Sequence, residues 1–181
     1  MYKKAHRNLA IGSFIALPAI LDKYNILYNF NYMFNNYTII HIGILLLLTI
    51  FGATIPDWDL KLKYVYHDYS GKKQYLYHRQ ITHSLFIWIL FGYLSYNLNN
   101  IYLFYFVVGV YTHLIADMLT GSIPILFYGR YYDYFSRIGL DRFYPKPSFW
   151  KKVAIWSDRI SPLFVVVGIA IFILHFQLKA F

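Results

Sequence analysis

The sequence predicts an all-α integral membrane protein with about five transmembrane helices, in a single domain that covers residues 1–181. The chain is 59% hydrophobic and only 14% charged, whereas soluble domains average about 45–50% apolar and about 25% charged residues. A transmembrane helix needs about 20 apolar residues. Five stretches meet or approach this length, at about residues 9–28, 38–55, 81–98, 101–119 and 160–178.

The first stretch is the shortest of the five. Its apolar run from Leu9 to Leu21 contains Pro18, so the sequence leaves open a thin span extended toward Tyr28 or a re-entrant segment. No small-residue cleavage site follows the run, and we therefore expect it to be retained. Between the third and fourth spans, Asn99 and Asn100 predict a tight turn.

The distribution of lysine and arginine predicts the orientation of the helices. When the first span is taken as its apolar run Leu9–Leu21, the six segments outside the spans hold, in chain order, three, one, five, none, seven and one of the 17 basic residues. Because basic loops stay in the cytoplasm, we expect a multi-pass protein with a cytoplasmic N-terminus and an external C-terminus. The segment 128–159 would be a helical or irregular cytoplasmic loop. The net charge of +9 is attributed to this topology, and we expect no nucleic-acid partner.

Residues that can bind a metal lie at the ends of several spans. Cysteine is absent, so any metal must be bound by His, Asp or Glu. An ionised Asp within a span costs roughly 2.5–3.5 kcal/mol, and a divalent cation would neutralise Asp117. The predicted topology places seven candidate ligands from four segments at the cytoplasmic membrane edge: His6, Asp57, Asp59, His78, His83, His113 and Asp117.

Each part of this set also has a simpler explanation. Asp57 and Asp59 fit a helix stop followed by a turn, and Thr82 fits a cap of the third span. His113 and Asp117 share one helix face, being four residues apart, and fit a hydrogen-bonded pair between helices. Their joint placement favours one shared polar site. The remaining histidines are expected to be structural or solvated: His41, His67 and His175.

The order of these motifs resembles a bacterial inner-membrane family, the LexA-regulated membrane-bound metal-dependent hydrolases. The resemblance rests on His6, Pro56-Asp57-Trp58-Asp59, His78-Arg79-Gln80-Ile81-Thr82-His83-Ser84, and His113-Leu114-Ile115-Ala116-Asp117 with Thr120. The His-x-x-x-Asp pattern is more distantly similar to that of zinc-dependent phospholipases C and single-strand nucleases, which are all-helical enzymes with clustered zinc.

The resemblance implies a hydrolase that acts on a phosphoester of a lipid-like substrate at the cytoplasmic membrane face, among membrane lipids. We expect two or more divalent ions, with zinc favoured and manganese as the alternative, since both accept His and Asp ligands. Asp59 is a candidate general base or ligand, and Thr82 is a further catalytic candidate. Arg79 is either a phosphate clamp or an anchor to lipid headgroups.

Two other functions are compatible with the sequence. Intramembrane His and Asp also form the relays of metal or proton transporters, although the polar residues here gather at one membrane face. A non-catalytic membrane protein with a structural metal site is the other alternative. A serine hydrolase is disfavoured, because no Gly-x-Ser-x-Gly elbow surrounds Ser84. The sequence does not indicate the oligomeric state.

Overall fold

The computed structural model describes residues 3–23, 39–61, 65–67, 73–75, 81–120, 123–125, 137–139 and 147–179. In these ranges the chain forms six α-helices, which are α1 (Lys3–Lys23), α2 (Ile39–Gly52), α3 (Leu85–Asn97), α4 (Ile101–Thr120), α5 (Pro147–Ile160) and α6 (Pro162–Lys179). Two 3₁₀ helices span Ile55–Lys61 and Ile81–His83. The predicted all-α class is confirmed.

Two short antiparallel strand pairs accompany the helices. Strand β1 (Val65–His67) pairs with β2 (Lys73–Tyr75), with Val65 opposite Tyr75. Strand β3 (Ile123–Pro124) pairs with β4 (Arg137–Ile138), with Ile123 opposite Ile138. The second pair follows α4 directly, and the Phe86 backbone N–H donates to the Ile125 carbonyl at 2.9 Å. This bond ties the start of α3 to the residue that follows β3.

The helix bounds depart from the predicted spans at several ends. Helix α1 begins before the predicted span and continues through Pro18 to Lys23, whereas residues 24–28 lie outside the described ranges. The predicted loop 128–159 contains the helix α5. Of the helices that the structure describes, the stretch Ile101–Leu119 is long and apolar enough to cross a bilayer. Three apolar helices are shorter, at Ile39–Gly52, Leu85–Asn97 and Pro162–His175, so the count of five spans stays a prediction.

Two pairs of helices cross in near contact because glycines of each pair lie against the backbone of the partner helix. A Cβ atom on Gly109 of α4 would overlap the Thr49 carbonyl of α2, and one on Gly52 would overlap the Phe106 carbonyl. At the second crossing, a Cβ atom on Gly12 of α1 would overlap the Phe164 carbonyl of α6. Small residues that allow close backbone approach are the usual basis of helix packing within membranes.

The core lies between α4 and its neighbours. One cluster joins α1, α2 and α4 through Phe14, Leu45, Ile101 and Tyr105. A second cluster joins α3, α4 and β3 through Trp88, Val110, Leu114 and Ile123. Helix α4 contributes to both, and it therefore holds the other elements in register around its buried face.

The predicted turn between α3 and α4 is present. Asn99 has a φ of 48°, a left-handed conformation that asparagine tolerates better than other non-glycine residues. The Asn100 N–H donates to the Ser95 carbonyl at 3.0 Å, and the Asn100 side chain accepts from the Leu103 N–H at 3.0 Å. Asn100 thus closes α3 and caps α4.

The prediction that Thr82 caps the third span is wrong. The N-cap of α3 is Ser84, whose Oγ accepts from the Ile87 N–H. Residues Ile81–His83 form a separate 3₁₀ turn before the helix. His83 therefore lies at the end of this turn and precedes the first residue of α3.

The α2–α4 crossing gives a first prediction. Gly109→Ala should destabilise the protein by about 1–3 kcal/mol, because the added methyl group forces two backbones apart. Gly43→Ala in α2 is the control, since a Cβ atom there meets nothing within 4 Å and alanine favours a helix by about 0.5–1 kcal/mol over glycine. Reversible unfolding in mixed detergent measures both changes, and equal stability of the two variants would contradict the crossing.

Candidate metal centre

The His113 ring is fixed by the end of helix α2. Because α2 ends at Gly52, the backbone carbonyls of its last turn lack helical partners. The Ala53 carbonyl lies 2.8 Å from His113 Nδ1. A carbonyl only accepts, so Nδ1 carries the proton and donates it. In the neutral ring, His113 Nε2 therefore presents a lone pair, the arrangement typical of metal-binding histidines.

His83 faces His113 across the site. The two Nε2 atoms are 3.2 Å apart, and both side chains are completely buried. On the other side of the His83 ring, Nδ1 lies 3.1 Å from Thr82 Oγ1. The Thr82 carbonyl in turn accepts from Trp88 Nε1 at 2.8 Å. Trp88 and Thr82 therefore orient the ring, and Thr82 acts on the site through His83.

Two carboxylates approach the paired imidazoles. Asp117 Oδ2 lies 3.4 Å from His83 Nε2 and 3.7 Å from His113 Nε2. Asp57 Oδ1 lies 3.9 Å from His83 Nε2 and 3.7 Å from His113 Nε2. Asp117 comes from α4, one turn after His113, whereas Asp57 comes from the 3₁₀ helix that follows α2. The convergence thus depends on three separate elements.

His6 completes the cluster from α1. Its ring stacks on the His113 ring, with centroids 3.9 Å apart and planes inclined by 15°. His6 Nε2 lies 3.4 Å from Asp117 Oδ1. His6 is 2% exposed, and among the residues that the structure describes no hydrogen-bond partner faces its Nδ1. A buried nitrogen without a hydrogen bond is costly, and a metal ion is one ligand that would satisfy it.

The ligand atoms form two sets that share His113. One atom each of His6, Asp57 and His113 lies within 4.8 Å of the others, and the same holds for His83, His113 and Asp117. Three ligands of nitrogen and carboxylate oxygen match a zinc site that retains a further position. Because His113 Nε2 has a single lone pair, it can bind one divalent ion, and a second neighbouring ion would be bound by the other donor atoms.

The contact between His83 and His113 allows two tautomers of His83. Without a metal, Thr82 can donate to His83 Nδ1, and His83 Nε2–H can donate to the His113 lone pair. If His83 Nε2 bound a metal, the His83 proton would be on Nδ1, and Thr82 would accept instead of donating. A hydroxyl group serves both states, so Thr82 is placed to orient the His83 ring. Its catalytic role stays a prediction.

A family model of the YdjM inner membrane protein family matches residues 9–180. The chain belongs to this family. Membership agrees with the inner-membrane resemblance in the sequence, and it shows that the chain is an inner membrane protein. No curated protein and no solved structure matches the chain. The multi-pass topology and the cytoplasmic N-terminus stay predictions for this YdjM family member.

The surface of the described helices agrees with a membrane protein. Large apolar side chains are exposed on several of them, including Leu47 of α2, Ile89 of α3 and Val166 of α6. A soluble monomer rarely exposes extended apolar surface. In an inner membrane protein of the YdjM family, we expect these side chains to face the lipid.

The structure places five of the seven predicted ligands together, namely His6, Asp57, His83, His113 and Asp117. Asp59 lies on the 3₁₀ helix Ile55–Lys61, but its side chain is outside the described part. His78 and Arg79 lie outside the described residues altogether. His41 and His175, on α2 and α6, belong to neither ligand set. Sequence reasoning missed the Ala53 carbonyl, because every residue has a backbone carbonyl and the residue type does not show which one accepts a hydrogen bond.

The shared ligand predicts how ion content depends on each residue. Wild-type protein loaded with zinc should bind at least one ion per chain. His113→Ala should lose the ion that Nε2 binds, because His113 belongs to both sets. His6→Ala and Asp117→Asn should retain more zinc than His113→Ala, because each of these residues belongs to a single set. His41→Ala, which removes a histidine outside both sets, should keep the wild-type content. Inductively coupled plasma mass spectrometry after gel filtration counts the ions, and equal ion content in His113→Ala and His41→Ala would contradict the role of His113.

Proposed function

We propose that this YdjM family member is a membrane-bound, metal-dependent hydrolase of a lipid-like phosphoester, acting at the cytoplasmic membrane face. The observation that supports this most is the difference in exposure between the ligands. The Asp57 side chain is 18% exposed, whereas Asp117, His83 and His113 are at most 2% exposed. A catalytic zinc site keeps an open coordination position, whereas a structural site is closed.

The ligand set determines the chemistry that a metal would bring. Divalent ions held by the two sets would supply Lewis-acid activation of water and of phosphoryl oxygens. If the histidines are neutral, two divalent ions outweigh the two carboxylates, Asp57 and Asp117. The centre then carries a net positive charge and attracts an anionic substrate. This balance favours a phosphoester over a neutral ester.

The accessible edge of the cluster lies beside an interfacial aromatic residue. Trp58 follows Asp57 directly and is 49% exposed. Its ring meets Phe51 of α2 edge to face, with centroids 5.4 Å apart. Tryptophan is enriched at the membrane–water boundary. An opening at that level favours a substrate with its polar head in the headgroup region and its tail in the bilayer.

The chain's own residues supply orientation and proton transfer in this proposal. Asp57 lies at the accessible edge, where a carboxylate can accept a proton from the attacking water. Asp59 stays the alternative general base, since it follows two residues later on the same 3₁₀ helix. Arg79 stays the proposed phosphate clamp. Thr82 holds the His83 ring in the orientation that ligand binding needs.

The two alternative functions have less support. A transporter needs polar groups along a path, but α4 carries no His, Asp, Glu, Lys or Arg from Ile101 to Thr112. A purely structural metal site would not need the exposed edge at Asp57. Zinc and manganese both fit the ligand types, and zinc is the first ion to test.

Hydrolysis gives the direct prediction. Zinc-loaded protein in detergent micelles should release phosphate or alcohol from a panel of lipid phosphomonoesters and phosphodiesters. Asp57→Asn should lower kcat/KM at least about 100-fold, more than the 10–100-fold typical of groups that only orient a ligand. Asp158→Asn makes the same chemical change in α5, outside the cluster, and should retain full activity.

A second pair of variants separates positioning from folding. Thr82→Val should lower zinc affinity about 10–100-fold, whereas Thr82→Ser retains the hydroxyl group and should stay near wild type. Zinc-loaded wild type that turns over no member of the panel would contradict the hydrolase and favour the structural metal site.

A further inference from the structure

An apolar groove lies between α1, α4 and α6. Its cavity measures about 340 Å³, within the range of about 300–1,000 Å³ that ligand pockets occupy. Two lining residues, Tyr111 and Thr112, use their hydroxyl groups in hydrogen bonds to backbone carbonyls. Tyr111 donates to the Trp88 carbonyl at 2.8 Å, and Thr112 donates to the Gly109 carbonyl at 2.7 Å. The groove therefore presents mainly hydrocarbon to whatever fills it.

The groove stays open because its two walls are held apart. Helices α4 and α6 both pack on α1, but within the described ranges they have little contact with each other. Helix α6 is fixed close to α1 by Gly12 and Gly168. The edges of the opening are Ile115 on α4 and Val167 on α6, each 53% exposed. The groove thus opens sideways, toward the surface that lipid surrounds.

The length and position of the groove relate it to the metal centre. Along α1 it extends from Leu9 to Ile20, which is roughly 16 Å at about 1.5 Å per residue. This equals about half of a hydrocarbon core of about 30 Å, or one leaflet. Leu9 lies one turn after His6 on the same helix face. The groove therefore begins at the level of the cluster and ends near mid-bilayer.

We propose that this groove binds one hydrocarbon chain of a lipid from the leaflet that borders the metal centre. The apolar lining, the sideways opening and the one-leaflet length all match a single acyl or isoprenoid chain. A lipid held in this way has its polar head at the depth of His6. That the bound lipid is the substrate rests on the proposed hydrolase function, whereas binding of the chain itself does not.

Lipid retention tests the binding step without any turnover. Native mass spectrometry of protein purified from membranes should show one retained lipid per chain in the wild type. Val167→Trp fills the groove from α6 and should retain at least about tenfold less lipid. Val166→Trp, whose parent side chain is 58% exposed but does not line the groove, should retain it.

A second matched pair approaches from the opposite wall. Ile115→Trp should lose the lipid, and Leu119→Trp, one turn further along α4 and 48% exposed, should keep it. If both pairs of variants give the same result, local misfolding of one helix is excluded as the cause of the lipid loss. Retention in both groove variants, or equal loss in variants and controls, would overturn the proposal. The proposal would also be overturned if the wild type were a dimer and both groove variants were lipid-free monomers. A second copy of the chain, and not a lipid, would then fill the groove.

Chain length separates this proposal from the hydrolase. With a long-chain phosphoester, Val167→Trp should raise KM at least about tenfold, while turnover of a short-chain, water-soluble phosphoester stays unchanged. Normal long-chain kinetics would show that the bound lipid is not the substrate and overturn that part of the proposal. Absence of turnover on both esters in the wild type would overturn the hydrolase alone, because lipid retention still decides whether the groove binds a chain.

Discussion

The hydrogen bond from His113 Nδ1 to the Ala53 carbonyl depends on how closely α2 and α4 cross. Gly52 and Gly109 remove the side chains that would hold the two backbones apart. The end of α2 then lies against α4, one turn before His113. Because α2 stops there, its unused carbonyl fixes the tautomer of the ring that both ligand sets share. The packing of α2 against α4 therefore sets the tautomer of His113 through the Ala53 carbonyl oxygen.

The buried carboxylates of the polar cluster need a positive partner, because buried charges are costly unless they are paired. The carboxylates of Asp57 and Asp117 face imidazole nitrogens at 3.4–3.9 Å, and a divalent cation bound among these groups would neutralise them. Apolar clusters around Leu45 and Leu114 flank α4 and keep the arrangement rigid. Among the described residues no hydrogen-bond partner faces His6 Nδ1, while His6 Nε2 lies 3.4 Å from Asp117 Oδ1.

The sequence predicted those features that depend on residue type and periodicity. The bounds of α4, the asparagine turn at Asn99 and the grouping of His113 with Asp117 follow from apolar run length and helical spacing. It could not predict the Ala53 contact, because every residue has a carbonyl. It also assigned the helix cap to Thr82 instead of Ser84, since both hydroxyl residues are common helix caps. The groove was not predicted, because it depends on how far α4 and α6 stand apart.

We propose that this buried cluster is a metal centre with histidine and carboxylate ligands. X-ray absorption at the zinc edge of the loaded protein tests it directly. We expect a first shell of nitrogen and oxygen at about 2.0–2.2 Å, with multiple scattering from at least two imidazole rings that disappears in His113→Ala. A shell of oxygen atoms alone, unchanged by that substitution, would contradict the claim, because the zinc would then be bound elsewhere.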